Sequence, residues 1–246
     1  MLLHKKSGFT LIELLVVMTI IVILAGLILA LIPYINQKQA RSRAEGEMGA
    51  IKAALENYKA DNATYPNDAN VAAGLYQKNN TDNLDAQTMN DPTQPAYISA
   101  GLVLYRALSG DRNLDRKVDT TGSTDTSLDL DGNALATPLA SPPNVYYTFK
   151  ANQLLPTGGT GTVTQIIDPF GNSYGYSTAY QGDISAANTS TSTTTATTPT
   201  HGYNPTYDLW STGGQVGNAT DTITQTSAKR AKWLINWQNS GANVGQ

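Results

Sequence analysis

The sequence predicts an α+β protein, with a long N-terminal helix packed on a small antiparallel β-sheet domain that also carries extra short helices. The first half of the helix is predicted to span a membrane. Residues 14–32 are uncharged and mostly aliphatic, and apolar positions continue at helical spacing to about residue 60. The second half of the chain contains short runs of β-branched and aromatic residues separated by turn residues. A long helix followed by short strands is typical of an α+β design.

The composition excludes several functional classes. The 246 residues carry a formal net charge of −3, without the basic surplus with which a protein binds nucleic-acid phosphates. The chain has no cysteine, which rules out disulfides, thiolate catalysis and cysteine-ligated zinc. His201 is the only histidine after residue 4, so a Ser-His-Asp triad would rest on one residue beside a Thr/Pro-rich segment. We therefore predict neither an enzyme nor a nucleic-acid-binding protein.

The N-terminal segment has the length of a membrane span. Residues 14–32 would extend about 28 Å as a helix, close to the thickness of the bilayer hydrocarbon core. A secretory signal has a shorter apolar region and a small-x-small cleavage site after it. A plain signal anchor does not account for Glu13, because a carboxylate at the edge of a span is unfavourable unless it is paired or lies at the interface. Glu13 is therefore expected to have a role.

Residues 8–13, Gly-Phe-Thr-Leu-Ile-Glu, resemble the processing site of type IV prepilins and type II secretion pseudopilins. In that family a membrane peptidase cuts after the glycine and methylates the new N-terminal residue. The resemblance implies that residues 1–8 are a cleaved leader, that the cut falls between Gly8 and Phe9, and that Phe9 is N-methylated. A carboxylate in apolar surroundings needs a positive partner. The resemblance implies that Glu13 pairs with the Phe9 ammonium of a neighbouring subunit during assembly.

Three later segments resemble the major, G-type pseudopilins, in the same order along the chain. Residues 56–66 are similar to the end of their long helix, with its Tyr-Lys-x-Asp-Asn-x-x-Tyr-Pro run. Residues 168–176 are similar to their Asp-Pro-Trp-Gly-Asn-Pro-Tyr-x-Tyr segment, and residues 207–211 to their Phe-Asp-Leu-Trp-Ser strand. Residues 67–165 are longer and less regular than a minimal G-type subunit needs.

The helix is predicted to continue beyond the membrane. We assign residues 9–33 to a transmembrane and filament-core helix and residues 34–62 to its amphipathic continuation, with a kink expected near Pro33. The continuation carries one apolar stripe at spacings of three and four residues: Ala40, Ala44, Met48, Ile51, Leu55 and Tyr58. Residues 63–246 are then an extracytoplasmic globular domain of the pilin type.

The globular domain is predicted to contain short elements. Residues 97–109 have the pattern of a helix, and residues 227–239 also look helical. Four segments have the pattern of strands, namely residues 144–151, 166–167, 174–177 and 207–211, with Gly171-Asn172 as a turn between two of them. Residues 184–200 form a Ser/Thr-rich tract that cannot build a core, which predicts a flexible loop or a glycan acceptor.

Two loops are candidate calcium sites. The first places oxygen-bearing side chains at positions 1, 3, 5 and 9 of a calcium loop: Asp111, Asn113, Asp115 and Asp119. Arg116 takes the place of the turn glycine, so a solvated Asp/Asn turn is the alternative interpretation. The second site is implied by the resemblance, because G-type pseudopilins bind calcium in the loop after the Asp-Leu-Trp-Ser strand. In this chain that loop retains Asp221.

The resemblance implies a structural subunit of a type II secretion pseudopilus, processed by prepilin peptidase and polymerised through its N-terminal helix to drive protein secretion. The implied partners are further copies of the chain, minor pseudopilins, the peptidase and the inner-membrane assembly platform. The implied location is the bacterial inner membrane, crossed once, with the C-terminal domain in the periplasm. Two alternatives are a type IV pilus subunit for adhesion or motility, and a membrane-anchored binding domain that never polymerises.

Overall fold

The computed structural model describes residues 10–67, 70–72, 75–77, 80–89, 91–120, 128–135, 137, 139–189, 199–216 and 228–237. The chain divides into two compact units, Met1–Ser42 and Arg43–Gln246. One helix, α1 (Leu11–Asn62), contributes residues to both units. The two units are described separately below.

Helix α1 is 52 residues long and includes Pro33, which confirms the long helix predicted to about residue 60. It ends where Ala63 adopts a left-handed conformation, with φ of 62°. The amide of Ala63 donates a 2.8 Å hydrogen bond to the carbonyl of Lys59, which closes the last turn. The kink near Pro33 stays a prediction.

In the second unit one face of α1 is buried. Its buried residues are Ala44, Met48, Ile51, Ala54 and Leu55. Three- and four-residue spacing places these side chains on one stripe, which confirms the amphipathic pattern of the continuation. They pack in a core that also contains Leu104, Leu108 and Leu209. The second half of α1 is therefore part of the globular core.

The remaining helices are short. Helix α2 is Asn80–Asn83, α3 is Pro95–Ser109 and α4 is Ala179–Thr189, and a 3-10 helix covers Ala151–Gln153. Helix α3 confirms the helix predicted over residues 97–109. It starts with Pro95, whose missing amide costs nothing in a first turn, and it stops at Gly110, where φ is 72°. The following loop therefore starts from a left-handed glycine.

All the described strands pair antiparallel. The largest sheet has the order β5 (Gly175–Ser177), β6 (Asp208–Ser211), β7 (Leu234–Ile235), with Tyr176 opposite Leu209 and Ser211 opposite Leu234. Two smaller pairs are β1–β2 (Asn70–Ala72 and Leu75–Gln77) and β3–β4 (Leu154–Leu155 and Gln165–Ile166). The small antiparallel sheet domain with extra short helices is thus confirmed, and the fold is α+β.

A second core cluster lies around Trp210. Trp233 stacks parallel to Trp210 at 6.2 Å between ring centroids, and the indole of Trp210 donates a 3.1 Å hydrogen bond to Tyr97 of α3. The ring of Trp210 also lies flat against the backbone of Gly175, where a Cβ atom would sit 2.0 Å from the indole. Only glycine leaves room for this ring at that position in β5.

The prediction of a strand over residues 144–151 is wrong. No strand is formed by residues 144–150, and residue 151 begins the 3-10 helix. The amides of Tyr146 and Tyr147 both donate to the carbonyl of Leu108, at 2.8 and 2.9 Å. These bonds satisfy a carbonyl at the C-terminal end of α3 instead of forming a β-ladder. Tyr146, Tyr147 and Phe149 are partly buried, but their backbone pairs with no described strand.

The predicted C-terminal helix is also mostly wrong. Within the described residues 228–237, only residues 228–230 are helical, and Leu234–Ile235 form β7. Asn236 fixes this strand, because its side chain accepts from the amide of Leu209 at 2.8 Å and donates to the carbonyl of Tyr207 at 3.1 Å. Pairing with β6 therefore overrides the helical pattern of the segment.

The first part of the Ser/Thr-rich tract is helical, so the predicted loop cannot begin at residue 184. Its first part, residues 184–189, belongs to α4, since Ala186 and Ala187 favour a helix. The flexible loop assigned to residues 184–200 is wrong for that part. Residues 190–198 lie outside the described residues.

Candidate functional site

The start of α1 is a capping box formed by Thr10 and Glu13. The Glu13 carboxylate accepts hydrogen bonds from the amide and the hydroxyl of Thr10, both at 2.8 Å. In return the amide of Glu13 donates to the hydroxyl of Thr10 at 3.3 Å. Such a box satisfies amides that have no partner in the first turn of a helix. Glu13 therefore has a local structural role that the sequence interpretation did not include.

The first unit presents its apolar side chains outward. The large aliphatic residues from Leu11 to Ile35 are all exposed, and Leu11 reaches 89%. The hydroxyl of Thr19 donates to the carbonyl of Leu15 at 2.8 Å, so this polar group is satisfied within the helix. Between Lys6 and Lys38 the only charged residue is Glu13. Water is an unfavourable surrounding for so large an apolar surface, which indicates a lipid or protein environment.

By length and composition this helix can cross a membrane. An 18-residue window of α1 has a mean hydropathy of 3.2 and none of it is buried, unlike the core helix of a soluble protein. A signal sequence would have the same composition. Gly8 and Phe9, the predicted processing residues, lie outside the described residues, so cleavage, methylation and the pairing of Glu13 with Phe9 stay predictions.

The predicted calcium loop is ordered by its own backbone. Asp111 is 1% exposed, and its carboxylate accepts from the hydroxyl of Tyr105 at 2.7 Å and from the amides of Asp115 and Arg116 at 3.1 and 2.7 Å. Burial raises the pKa of Asp111. Asp119 accepts from the amide of Arg112 at 3.1 Å. The loop thus surrounds Asp111 with hydrogen-bond donors.

The structure does not gather the predicted ligands into a metal centre. Asn113 and Asp115 accept backbone amides two residues further on, as in Asx turns. Among the residues that the structure describes, no group of three or more His, Asp or Glu side chains is placed to hold a metal ion. Asp221 of the second loop lies outside those residues. Calcium binding stays a prediction.

Two of the segments that resemble pseudopilins meet at Asp168. This buried carboxylate accepts from the amides of Phe170 and Asn172, each at 2.9 Å, and from the hydroxyl of Ser211 at 2.5 Å. Burial raises the pKa of Asp168. The first segment forms the predicted turn, with Gly171 at a φ of 85°. Asp168 therefore joins this turn to the end of β6.

Three aspartates bind the five consecutive amides of residues 200–204, an arrangement that we call the aspartate clasp. Asp183 of α4 accepts from the first two amides at 2.7 and 3.0 Å. Asp85 accepts from the third at 3.0 Å, and Asp208 of β6 from the last two at 2.7 and 2.9 Å. Sequence reasoning missed the clasp, because the three aspartates lie far apart in the chain.

The clasp also accounts for His201. Its ring Nδ1 lies 2.9 Å from both carboxylate oxygens of Asp183. Burial acts to raise the pKa of Asp183, but hydrogen bonds from His201 and Thr200 lower it overall. Burial raises the pKa of Asp208 to about 6. Asp183, Asp208 and His201 are thus engaged in local hydrogen bonds. The clasp has the geometry of an anchor for the loop of residues 200–204.

Comparison with known proteins finds similarity in the N-terminal portion of the chain. Residues 3–29 match the family model of the prokaryotic N-terminal methylation motif. Type II secretion system core protein G of Pseudomonas aeruginosa is 38% identical over 78 residues, which cover 30% of this chain and 53% of that protein. The proteins of the same name from Klebsiella pneumoniae and Escherichia coli are 35% and 39% identical over 63 and 62 residues.

These matches have a defined extent. The Klebsiella and Escherichia matches cover 26% and 25% of this chain, and 45% and 43% of those proteins. The chain thus spans about half the length of the curated relatives that it matches. No solved structure is significantly similar to the chain. The chain carries a prepilin-type N-terminal methylation motif, and its N-terminal portion is homologous to core protein G.

Proposed function

We propose that this chain is a structural subunit of a type II secretion pseudopilus, and not an enzyme. The observation that carries the proposal is the exposed apolar half of α1, which begins with a capped carboxylate at Glu13. A methylation motif over residues 3–29 and the homology to core protein G support it. In this proposal prepilin peptidase cuts after Gly8 and methylates Phe9.

The exposed helix gives this proposal a physical basis. In the membrane, lipid covers the apolar side chains of residues 11–35. In a filament, the same surface is covered by the helices of neighbouring copies, so the helix can pass from one environment to the other with little change in apolar burial. Minor pseudopilins and an inner-membrane assembly platform are the further partners that we propose, with the second unit in the periplasm.

The charge at Glu13 gives the assembly its register in this proposal. Removal of residues 1–8 creates an α-ammonium on Phe9, and a carboxylate in apolar surroundings is stabilised by a positive partner. A subunit that docks out of register would leave both charges in an apolar environment without their partner. The Thr10 hydroxyl keeps Glu13 oriented at the helix start before docking.

The mass of the mature N-terminus tests the proposal. We expect peptide mass spectrometry of the protein from its native membrane to find a chain that begins at N-methylated Phe9, and an intact chain in cells without the peptidase. A mature protein that retains Met1 in peptidase-containing cells would contradict it and support a non-polymerising anchor. Deletion of this protein from the cell is expected to stop the export of secreted proteins without removing a surface filament. Loss of a surface filament would instead indicate a type IV pilus subunit.

A further inference from the structure

The membrane-length part of α1 is followed by a positively charged stretch. From residue 14 to residue 44 the only charged residues are Lys38, Arg41 and Arg43, and all three lie beyond the apolar run. Arg43 is 3.9 Å from Glu47 in an ion pair on the same helix. Lys38 and Arg41 belong to the first unit, whose only carboxylate side chain is that of Glu13 at the other end of the apolar run. These two residues are therefore the first charges that α1 presents after the span.

Tyr34, Lys38 and Arg41 lie on one face of α1. Spacings of four and three residues return to nearly the same direction in a helix with about 3.6 residues per turn. Tyr34 is 65% exposed, Lys38 is exposed and Arg41 is half-buried. Side chains at such spacings have Cβ atoms roughly 5–6 Å apart, so their polar ends can contact one small anion together. A phenol, an ammonium and a guanidinium thus share one surface, which we call the basic face.

The basic face lies at the depth of the lipid headgroups when the apolar run spans the hydrocarbon core. Ile35 is the last exposed large aliphatic residue of the first unit. Lys38 and Arg41 follow it by three and six residues, which is about 4.5 and 9 Å along the helix axis. The headgroup region extends roughly 5–8 Å beyond the hydrocarbon core on each side. Helical side chains tilt toward the N-terminus, which here is back toward the membrane, so both cationic groups reach the phosphates.

The acidic residues that follow the basic face lie farther from the membrane. Glu45 comes one helical turn after Arg41, and it is seven residues from Lys38, about 10 Å along the axis. That distance is close to the length over which physiological salt screens exposed charges. Glu47, two residues later, is paired with Arg43. The charge that the helix presents to the headgroups is therefore positive, although the whole chain carries a net charge of −3.

We propose that the basic face binds the headgroup of one anionic phospholipid and selects it over a zwitterionic phospholipid. The guanidinium of Arg41 presents a planar fork of donors that suits two phosphate oxygens, and Lys38 adds a compact positive charge. Tyrosine is favoured at the membrane interface, where its ring is in apolar surroundings and its hydroxyl is near the headgroups. In a zwitterionic lipid the headgroup's own cation offsets the phosphate, so the two basic residues gain less. The inference rests on the membrane span of the proposed function and adds a lipid partner to it.

A competition between two lipids tests the preference on the full-length protein in detergent micelles. Palmitoyl-oleoyl phosphatidylglycerol and palmitoyl-oleoyl phosphatidylcholine are added in equal amounts, and native mass spectrometry counts the complexes that retain one lipid. We expect on the order of tenfold more complexes with phosphatidylglycerol, because two basic residues at headgroup depth both attract its net negative charge. The two lipids have the same acyl chains, so the ratio reports the headgroup alone.

Three variants locate the site. Lys38→Gln combined with Arg41→Gln is expected to reduce the preference to less than about twofold, because both cations are lost. Lys5→Gln combined with Lys6→Gln removes the same number of charges before the span, and this matched control should keep the preference. Asn36→Lys combined with Lys38→Asn keeps the net charge but moves the ammonium about 160° around the helix, away from Arg41. This exchange is expected to lose most of the preference.

Flotation of the chain with neutral phosphatidylcholine vesicles separates this inference from the proposed function. A chain that does not float would contradict the span, and the lipid site with it. A chain that floats but retains the two lipids equally would overturn the lipid site alone. The site is also overturned if the control at Lys5 and Lys6 loses the preference as fully as the variant at Lys38 and Arg41. Full preference after the exchange at positions 36 and 38 would show attraction by charge without a defined face, which overturns the proposal as well.

Discussion

The phenol of Tyr174 donates a 2.8 Å hydrogen bond to the carboxylate of Glu47, across 127 positions of sequence. Tyr174 is 1% exposed, and the Glu47 side chain is 12% exposed. Burial, together with the nearby charge of Glu47, raises the pKa of Tyr174, so the phenol stays protonated and is always a donor. This bond ties α1 to the residue before β5, and it therefore couples the helix to the sheet.

Tyr174→Phe is expected to lower the free energy of unfolding by about 1–3 kcal/mol, because it leaves the poorly hydrated Glu47 carboxylate without its donor. Urea unfolding of the chain in detergent, followed by tryptophan fluorescence, measures this change. Tyr146→Phe is the matched control. Its phenol donates to Asp61 at 3.0 Å in an exposed position, and its loss is expected to cost less than about 0.5 kcal/mol. Equal losses in the two variants would show that the Tyr174 bond contributes no more than a surface contact.

Glu13→Gln separates the cap of α1 from the charge of Glu13. Glutamine keeps an oxygen that accepts from Thr10, so helix formation and membrane insertion are expected to be normal. It removes the charge that we propose pairs with the Phe9 ammonium, so assembly is expected to fail. Chemical cross-linking in intact cells, read as a ladder of oligomers, measures assembly. Glu45→Gln, on an exposed position of the same helix, is the control and should give the normal ladder. A normal ladder from Glu13→Gln would exclude the pairing.

The buried Asp208 is expected to make the stability of the folded chain depend on pH. Burial raises its pKa in the folded chain from the ordinary value of 3.8 to about 6. The folded chain therefore takes up this proton at a higher pH than the unfolded chain does. The contribution of Asp208 to stability thus increases as the pH falls from about 7 to about 4, by an amount on the order of 1–3 kcal/mol. In Asp208→Asn this part of the pH dependence should disappear.

Urea titration at several pH values gives the free energy of unfolding of the unchanged chain and of Asp208→Asn. The slope of this free energy against pH is then compared between the two proteins. Asp183 acts in the opposite sense, since its pKa is lowered, and its contribution is lost only as the pH falls below the ordinary value for aspartate. Its effect therefore lies mostly outside the interval that Asp208 governs. An unchanged slope in Asp208→Asn between pH 4 and 7 would refute the assignment.

Gly175→Ala is expected to destabilise the chain by about 3 kcal/mol, because the new Cβ would lie 2.0 Å from the Trp210 indole. Gly46→Ala is the matched control on the exposed face of α1, where a Cβ meets nothing within 4 Å. There alanine should stabilise the helix by about 0.5–1 kcal/mol. The Tm, measured by circular dichroism, should therefore fall in Gly175→Ala and rise in Gly46→Ala. A shift of the same sign in both variants would contradict the role assigned to Gly175.

The calcium prediction for residues 111–119 has a direct test. A bound ion stabilises the folded chain by mass action, so 1 mM calcium should raise Tm relative to EDTA, and Asp115→Asn should remove the difference. Asp131→Asn, in a neighbouring acidic loop, is the comparison. Identical melting curves in calcium and EDTA would favour the alternative of a solvated Asp/Asn turn.

Several elements were predictable because they depend on local pattern. The spacing from Ala44 to Leu55 predicted which face of α1 is buried, and the run at 97–109 predicted α3. The glycine at position 171 predicted the turn at Asp168. In each case neighbouring residues supply both the signal and the structure, so a single sequence contains the information.

Other features required the tertiary structure. Leu234–Ile235 became a strand because Asn236 and β6 provide bonds that no local helix offers, and residues 145–149 stayed out of a sheet because the end of α3 takes two of their amides. The aspartate clasp unites carboxylates from positions 85, 183 and 208, whose meeting depends on how the chain folds back.

The sequence by itself determined the N-terminal methylation motif, the membrane-length helix and the charge at Glu13, because composition and order are sufficient to specify them. Only the tertiary structure decided which polar groups are buried, as in the bond between Glu47 and Tyr174. The physical reason is that hydrogen-bond strength and burial depend on distances between residues far apart in the chain, and these distances exist only after packing.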